Sequence, residues 1–323
     1  MLVSKTAAES HIARLANPGA HAWPVEPRSA SSSGGHKLAW HIAMHSPSTR
    51  PTGDPMDKTR LAGKNCLITG AARGMGAAVA EHYAAQGANV CVADLNIEGC
   101  EEVVKRINGK DGGKAIAAKL NVTERDQVKA AVMATVEAFG SLNVMVNNAG
   151  INKPLMFLDI TEDNWHQIMD VNALGCLLGM QEAAKQMIAQ GKENGPYKIL
   201  NVGSILSRQA FDDVVPYSCS KHAVLAMING GAKALVDHNI TVNGYGPGVV
   251  RTELWEQLDK DLVSIGKFDK QGQSMDELAE KMILMKRYSY PEDVVGTASF
   301  LASPESDYMT GQLLMIDGGM IMQ

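Results

Sequence analysis

The sequence predicts an α/β fold: a single doubly wound domain with a parallel sheet of about seven strands flanked by helices. From about residue 60 onward, short apolar and β-branched runs alternate with helical stretches. This alternation is typical of successive βαβ units whose sheet is covered on both faces. The chain has 323 residues, 45% hydrophobic and 20% charged, which is enough for one large domain with a sizeable core.

The elements can be assigned in chain order. Strand-like runs occur at NCLIT, ANVCVAD, KAIAAKLNV, LNVMVNN, YKILNVGS, NITVNGYG and QLLMID. Helical stretches include MGAAVAEHYAAQG, TERDQVKAAVMATVEAFG and NWHQIMDVNALGCLLGMQEAAKQMIAQG. We expect the longest of these to form one helix over about 162–190, and a further helix to span about 214–236.

Residues 1–57 differ in composition from the rest of the chain. They are rich in Ser, Pro, Gly and His and keep no helical or strand period, which predicts a disordered extension before a domain over 58–323. The extension is basic and poor in acids, as organelle transit peptides are, but it lacks a clear Arg-rich amphipathic helix. We therefore expect a cytoplasmic protein, with organelle import as the alternative.

Composition argues against several functional classes. The net charge of −5, from 30 Lys+Arg against 35 Asp+Glu, argues against a nucleic-acid surface. No apolar run approaches the ~20 residues of a membrane span. The five cysteines include no CxxC pair and favour buried thiols in a reducing compartment over disulfides or a metal site. They are Cys66, Cys91, Cys100, Cys176 and Cys219.

A glycine-rich turn follows the first strand, in TGAARGMG. Gly70, Gly74 and Gly76 permit positive φ and close approach of a ligand, and the next helix begins with an end that favours a pyrophosphate. Asp94 ends the second strand, where a carboxylate accepts hydrogen bonds from the ribose hydroxyls of NAD. Arg73 could instead pair with the 2′-phosphate of NADP. Because a carboxylate beside that phosphate is costly, we expect NAD.

Tyr217 and Lys221, in YSCSK, have the spacing of neighbours on one helix face. A positive charge near a phenol favours its phenolate form, so the two side chains could act as a general acid and base. A surface tyrosine beside a surface lysine would have the same spacing. The pair taken alone leaves both interpretations open.

Further motifs make the chain similar to the short-chain dehydrogenase/reductase family from about residue 60 to the C-terminus. TGxxxGxG, NNAG, DVNALG, NVGSIL, YxxxK and GPG followed by a threonine occur in the family's order. The resemblance implies a Rossmann-type domain. The segments ITVNGYGPGVVRTELW and LASPESDYMTGQLLMIDGGM look most like those of acetoin/2,3-butanediol and polyol dehydrogenases.

The resemblance implies four catalytic residues. Tyr217 would exchange a proton with the substrate oxygen, and Lys221 would lower the pKa of Tyr217 and hold the nicotinamide ribose. Ser204 would donate to the carbonyl oxygen. Asn172 would anchor a water that relays protons to Lys221. Without the resemblance, an asparagine in the middle of a helix would be interpreted as a helix-kink or packing residue.

The resemblance also implies the residues that bind the cofactor. Asn121 departs from the aspartate that is most common at its position, so its adenine contact has the weakest support. The full set is Gly70, Arg73, Gly74, Met75, Gly76, Asp94, Leu95, Asn121, Val122, Asn148, Ala149, Gly150, Tyr217, Lys221, Pro247, Gly248, Val250 and Thr252.

The substrate is expected to be a secondary alcohol or ketone of the small hydroxyketone, diol or polyol class. Related enzymes often carry a glutamine after the catalytic serine, where this chain has Ile205 and then Leu206. This apolar pair favours simple secondary alcohols or ketones over sugar alcohols. Residues 252–286 read as one or two amphipathic helices and are expected to form a substrate lid. Their methionines would give the lid an adaptable face.

Two other functions are compatible with the sequence. One is an NADPH-dependent 3-oxoacyl-thioester reductase, which Arg73 would allow. The other is a catalytically idle NAD-binding regulator, which the complete set of catalytic residues argues against. The helices over about 162–190 and 214–236 carry small and apolar residues on several faces, so we expect a homotetramer or homodimer.

Overall fold

The computed structural model describes residues 59–322, so the disorder predicted for residues 1–57 lies outside the described residues. Neighbouring strands are parallel throughout a seven-stranded sheet. The predicted fold is confirmed, and each strand falls within one of the predicted runs, with a single added residue at the end of β6. The strands are β1 (Asn65–Thr69), β2 (Asn89–Asp94), β3 (Ala115–Lys119), β4 (Val144–Asn147), β5 (Tyr197–Val202), β6 (Ile240–Pro247) and β7 (Leu313–Ile316).

The strand order creates a place for a ligand. The order across the sheet is β3-β2-β1-β4-β5-β6-β7, so the direction of winding reverses between β1 and β4. In open parallel sheets, ligands bind beyond the carboxyl ends of the strands at such a reversal. The chain leaves β1 at Thr69 and β4 at Asn147, so the glycine turn and the NNAG segment face each other there.

Helices cover both faces of the sheet. Side chains of α1, α2 and α9 pack on one face, and those of α3, α5 and α6 pack on the other. The helices of the described part are α1 (Gly74–Ala85), α2 (Ile97–Asn108), α3 (Arg125–Phe139), α4 (Glu162–Met169), α5 (Gly175–Ala189), α6 (Val215–Leu235), α7 (Glu253–Ser264), α8 (Gln273–Lys281) and α9 (Pro291–Ala302).

The helix predicted over about 162–190 is not a continuous α-helix. A π-helical turn at Asp170–Leu174 separates α4 from α5, and single π turns often mark functional sites. Asn172 lies within it and pairs with the main chain of Ile151: Oδ1 accepts from the N–H at 2.8 Å, and Nδ2 donates to the carbonyl at 2.9 Å. This long-range pairing has no signature in the apolar period of the sequence.

Two other predictions concern the burial of the cysteines and the possibility of a membrane-spanning helix. Cys66, Cys91, Cys100 and Cys176 are buried free thiols, and Cys219 is partly exposed. In the part of the chain that the structure describes, no helix is long and apolar enough to cross a membrane. Among the same residues, no group of three His, Cys, Asp or Glu side chains is placed to hold a metal ion.

Candidate active site

Two adjoining cavities open along the carboxyl edge of the sheet. The glycine cavity, about 390 Å³, is lined by the glycine turn, the end of β2 and the NNAG segment. The tyrosine cavity, about 330 Å³, is lined by Ser204, Tyr217 and Lys221. The two cavities form one cleft because they share five lining residues, which are Met75, Asn148, Gly150, Thr252 and Leu254.

The glycine turn is shaped by positions where only glycine fits. Gly70 and Gly74 have φ values of +63° and +57°, a region that other residues rarely adopt. A Cβ on Gly70 would lie 2.7 Å from the Ala149 Cα, and one on Gly76 would lie 2.2 Å from the Gly70 carbonyl oxygen. The turn therefore packs directly against the NNAG segment.

The glycine cavity fits an anionic dinucleotide. The first turn of α1 carries no acidic residue, so its N–H groups and positive end favour a phosphate. Asn148 holds the turn through its Nδ2, which donates to the carbonyls of Thr69 and Gly70 at 2.9 Å each. The Asn148 Oδ1 is buried without a partner among the described residues, so it can accept a hydrogen bond from a polar group of a ligand.

Asp94 lies at the far end of the glycine cavity. Its carboxylate accepts hydrogen bonds from the Ala72 N–H at 3.2 Å and the Asn96 N–H at 3.0 Å, which hold it beside the glycine turn. Arg73 is exposed and pairs with no carboxylate in residues 59–322. Both groups that could choose between NAD and NADP therefore line the same cavity.

The glycine cavity is also lined by Leu95, Asn121 and Val122, three of the predicted cofactor-binding residues. The Asn121 Oδ1 already accepts from the N–H and the hydroxyl of Thr123, at 3.1 and 2.9 Å. The side-chain acceptor that the resemblance assigns to adenine is thus used to stabilise its own turn. The role of Asn121 stays a prediction, and Leu95 and Val122 offer apolar surface.

Ser204 follows β5 in extended backbone, with φ −166° and ψ 168°. It caps the short helical turn Ile205–Ser207, and its hydroxyl accepts from the Leu206 N–H at 3.1 Å. A hydroxyl whose lone pair is occupied in this way keeps its proton available for a second partner. Ser204 can therefore donate to an oxygen in the tyrosine cavity.

Tyr217 and Lys221 lie one turn apart on α6, as their spacing predicted. The Lys221 Nζ donates to the Val202 carbonyl at 2.8 Å and lies 5.5 Å from the centre of the Tyr217 ring. Both line the tyrosine cavity. The interpretation as an unrelated surface pair is thereby excluded, since Lys221 is buried.

The pKa values differ from the expectation that Lys221 makes Tyr217 more acidic. Burial raises the pKa of Tyr217 to about 12, and a hydrogen bond with Ser204 opposes the rise. Burial also lowers the pKa of Lys221 to about 8, opposed by the nearby Cys176. The sequence analysis considered only attraction between unlike charges, whereas loss of hydration dominates for both buried groups.

Asn172 supports the site from behind. Among the predicted catalytic and cofactor-binding residues, it alone lines neither cavity. Besides pairing with Ile151, its Nδ2 donates to the Ser220 hydroxyl at 3.1 Å. It thereby ties the segment after Gly150 to α6, the helix that carries Tyr217 and Lys221.

Comparison with known proteins identifies the family. A family model described as "Enoyl-(Acyl carrier protein) reductase" matches residues 70–321. The chain is 38% identical over 258 residues to "Diacetyl reductase [(S)-acetoin forming]" of Staphylococcus epidermidis, covering 80% of this chain and 98% of that protein. The chain belongs to the short-chain dehydrogenase/reductase family.

Two further comparisons agree on the family and differ in named activity. The chain is 36% identical over 263 residues to a 3-oxoacyl-[acyl-carrier-protein] reductase of Thermotoga maritima, covering 81% of this chain and all of that protein. A short-chain dehydrogenase/reductase from Mycobacterium marinum superposes with a TM-score of 0.74 at 34% identity, covering 83% of this chain and 99% of that chain.

The predicted enzyme class is therefore confirmed. The chain is an oxidoreductase that acts on CH–OH groups, and its family uses a nicotinamide cofactor. The relatives are named for different substrates. Membership of the family therefore does not identify the substrate of this chain, and the tyrosine cavity is the basis for proposing one.

In this short-chain dehydrogenase/reductase, α7 and α8 lie against the tyrosine cavity. Thr252 caps α7, its hydroxyl accepting from the Trp255 N–H at 3.4 Å, and it also lines both cavities. The wall is mostly apolar. Its apolar side chains include Ile205, Leu206, Phe211, Val214, Leu254, Trp255, Leu258, Leu262, Phe268, Leu278, Met282 and Met320.

Sequence reasoning missed three charged residues of this cavity. Asp212, Asp213 and Lys267 all line it, and the Lys267 ammonium bridges the two carboxylates. The pair of acids between Ser204 and Tyr217 was a visible signal in the sequence. Their cationic partner lies more than 50 residues further along the chain, where no spacing rule connects it to them.

Proposed function

We propose that this enzyme interconverts a small hydroxyketone, diketone or vicinal diol with its oxidised or reduced partner, using NAD(H). The observation that carries the proposal is the tyrosine cavity, where Ser204 and Tyr217 stand among apolar side chains in a space of about 330 Å³. Such a cavity suits a short substrate with few hydroxyl groups.

The polar residues of the cavity support this chemistry. Ser204 would donate a hydrogen bond to the substrate carbonyl oxygen and stabilise the negative charge that develops there. Tyr217 would give that oxygen its proton during reduction and take it back during oxidation. A bound nicotinamide supplies or accepts the hydride in this chemistry.

Lys221 would then act on Tyr217 and not on the substrate. With a pKa of about 8, Lys221 is mostly protonated at pH 7, and its ammonium favours the phenolate that Tyr217 becomes after giving up its proton. Asn172 would hold α6 and the segment after Gly150 in register. We infer that its side chain contributes positioning, because Ile151 and Ser220 already use its polar atoms. The water relay that the resemblance assigns to Asn172 stays a prediction.

The cofactor-binding residues favour NAD over NADP. Within residues 59–322, Asp94 accepts two main-chain hydrogen bonds, so its oxygens retain lone pairs for ribose hydroxyls. A 2′-phosphate in the same place would meet its negative charge. Gly70, Gly74 and Gly76 would hold the pyrophosphate, and Asn148, Ala149 and Gly150 would lie beneath the cofactor. Lys221 would hold the nicotinamide ribose. Val250 and Thr252 would hold the nicotinamide carboxamide, with Pro247 and Gly248 beside them.

A 3-oxoacyl-thioester reductase is the second candidate. The exposed Arg73 favours it, because a guanidinium at the glycine turn could pair with the 2′-phosphate of NADPH. This candidate predicts a preference for NADPH and turnover of acyl thioesters. The idle regulator predicts cofactor binding without turnover of any substrate.

One experiment separates the three candidates. The enzyme would be assayed in both directions on acetoin, 2,3-butanedione, 2,3-butanediol, sorbitol and a 3-oxoacyl thioester, each with NAD(H) and NADP(H). We expect the highest kcat/KM on the four-carbon compounds with NAD(H). The highest value on the thioester with NADPH would contradict the proposal, and no turnover at all would favour the idle regulator.

Tyr217→Phe tests the mechanism on the best substrate of that panel. Removing the hydroxyl should lower kcat by about 100-fold or more, because proton transfer by a positioned group contributes that much. Fluorescence titration with NADH serves as the folding control and should show binding within a fewfold of wild type. Turnover that survived the substitution would contradict the assigned role of Tyr217.

Three further parts of the proposal concern the whole chain. We propose that residues 252–286, with α7 and α8, form the substrate lid of a domain over 58–323. We propose a homotetramer or homodimer that uses the exposed side of α4, α5 and α6. We also propose a cytoplasmic location, for which fractionation of cells producing the full chain is the direct test.

A further inference from the structure

A three-charge cluster forms part of the wall of the tyrosine cavity. Lys267 lies between α7 and α8, while Asp212 and Asp213 precede α6. The Lys267 Nζ is 3.0 Å from an Asp212 carboxylate oxygen and 3.6 Å from an Asp213 carboxylate oxygen. Two carboxylates therefore share a single ammonium group.

The cluster extends from solvent to the cavity wall. The Asp212 side chain is 69% exposed and the Asp213 side chain 12%. The hydrogen bond with Lys267 lowers the pKa of Asp212, and the same bond raises the pKa of Lys267. These partners are thus ionised at neutral pH, and with the Asp213 carboxylate the cluster carries an excess of one negative charge.

The rest of the cavity wall carries one positive charge, which does not pair with the cluster. Among the described residues that line the cavity, Lys221 is the only other charged one. Its ammonium is bonded to the Val202 carbonyl and lies beside Tyr217. The remaining wall is mostly apolar, and low-dielectric walls strengthen the field of a nearby charge.

We propose that Asp212, Asp213 and Lys267 make this enzyme select uncharged substrates and reject carboxylates. The inference rests on the proposed function, because it narrows the small ketones and alcohols to neutral ones. A substrate carboxylate beside the cluster would meet its excess negative charge. Binding should weaken on the order of tenfold relative to a neutral compound of the same shape.

A matched pair of compounds isolates the effect of charge. The diketone 2,3-butanedione and the keto acid pyruvate have the same number of non-hydrogen atoms and differ in a methyl group against a carboxylate oxygen. The two compounds would be compared by their kcat/KM values. Where turnover of pyruvate is too slow, its inhibition constant as a competitive inhibitor would replace its kcat/KM. The ratio of kcat/KM for 2,3-butanedione to kcat/KM for pyruvate measures selection by charge.

Two substitutions should move the ratio in opposite directions. Asp213→Asn leaves the cluster neutral, so the preference for the neutral compound should fall on the order of tenfold. Lys267→Met leaves two unpaired carboxylates, so the preference should rise by a similar factor. A merely structural loosening of the cavity would move both variants in the same direction, which would overturn the proposal.

Two control substitutions in α8 make the same changes in charge as Asp213→Asn and Lys267→Met, but at residues that do not line the cavity. Glu277 and Lys281 form an ion pair within α8, and neither lines the tyrosine cavity. Glu277→Gln and Lys281→Met should leave the ratio within twofold of wild type. If Asp213→Asn fails to fold, the exposed Asp212→Asn makes the same charge change, and an unchanged ratio in that folded variant would refute the inference.

The two proposals can fail separately. If wild type reduces neither diketones nor hydroxyketones, the proposed function fails. Pyruvate can then be tested as a competitive inhibitor against any neutral ketone or alcohol that is turned over. If the four-carbon compounds are substrates and the variants do not change the ratio, only the charge selection fails.

Discussion

Tyr217 and Lys221 line the same cavity, and burial moves their pKa values in opposite directions, to about 12 and about 8. A buried lysine with a lowered pKa reduces stability, because the folded state must hold its charge away from water. The cost persists here because the same ammonium supports the proposed proton transfer. Stability and chemistry therefore conflict at Lys221.

The conflict predicts a pH-dependent gain in stability for Lys221→Met. In the unfolded chain the pKa of lysine is about 10.4. Below pH 8, Lys221 is therefore charged in both the folded and the unfolded state, and the folded protein is destabilised by the full free energy of burying that charge. As pH rises from 8 toward 10.4, the folded lysine loses its proton first, and the cost disappears.

We therefore expect Lys221→Met to be more stable than wild type at pH 7, by at most about 3 kcal/mol. Loss of the bond to Val202 reduces the gain by about 1 kcal/mol. Denaturant unfolding at pH 6.5, 8 and 9.5 should show the gain shrinking as pH rises. Lys233→Met, on the exposed side of the same helix, is the control, and a gain independent of pH would contradict the argument.

Asp94→Asn tests the cofactor preference. The amide keeps the shape of the side chain and removes the charge that would oppose a 2′-phosphate. The ratio of kcat/KM with NAD to kcat/KM with NADP should fall on the order of tenfold. Glu102→Gln, on the exposed side of α2, should leave the ratio unchanged. An unchanged ratio in Asp94→Asn would refute the role of this carboxylate.

At this scale the sequence predicted that the glycine turn, the NNAG segment, Tyr217 and Lys221 line the cleft, but it did not predict the pKa values of Tyr217 and Lys221. The glycines and the NNAG segment are required by backbone shape, which leaves a clear motif. The pKa values of Tyr217 and Lys221 depend on burial by segments far away in the chain. The contact of Lys267 with Asp212 and Asp213 likewise depends on tertiary structure, so it carried no local signal.

At the scale of elements, α7 and α8 are joined by a buried polar chain. The Trp255 indole N–H donates to the Ser274 hydroxyl at 3.4 Å, and Ser274 donates to the Asp259 carboxylate. Asp259 also accepts from the Gly272 N–H at the start of α8. Because Trp255 lines the tyrosine cavity, this chain fixes one wall of the substrate site.

Ser274→Ala should loosen that wall without touching the proposed catalytic residues. The substitution leaves the Trp255 N–H and an Asp259 oxygen unpaired, which costs about 1 kcal/mol or more. We expect KM to rise about fivefold with kcat nearly unchanged. Ser274→Thr retains the hydroxyl and should restore KM. A fall in kcat with KM unchanged would contradict this positioning role.

The sequence predicted the strands better than the helices. Strands of a covered parallel sheet are apolar on both faces, so each appears as a short continuous run. The π turn between α4 and α5 depends on the pairing of Asn172 with Ile151, which lies outside the helix. The apolar period of the sequence continues through it, and a single long helix was the natural prediction.

At the scale of the whole molecule, one side of the domain exposes large apolar side chains. On α4, α5 and the turn between them these are Trp165, Leu174, Leu177 and Ile188. On α6, Gly230 has open space where a side chain would stand, so a second helix could approach closely. The predicted oligomer would bury this side, and stable interfaces typically bury about 1,600 Å² in total.

Leu177→Lys tests the proposed assembly. A charge in the middle of a buried apolar interface should shift the enzyme to a smaller species at micromolar concentration, because an unpaired buried charge is costly. Light scattering after gel filtration measures the mass. Met133→Lys places the same charge on an exposed methionine of α3 and should leave the mass unchanged. A monomeric wild type would contradict the assembly itself.

The doubly wound architecture was predictable because helices and strands alternate, and the strand order then places the cleft. The assembly was inferred from apolar residues on several helix faces. Which of those faces remains exposed becomes visible only when α4, α5 and α6 have been packed on the sheet.

The π turn at Asp170–Leu174 has a consequence for how this chain can tolerate deletions. Such a turn holds one residue more than the ordinary helix that would otherwise join its neighbours. Loss of a single residue there would leave a straight helix, with α5 still packed on the sheet and α4 still against α6. The shortened chain would keep its fold, but Asn172 would lose its hydrogen bonds with Ile151. Deleting this one residue would therefore reduce turnover and leave folding intact.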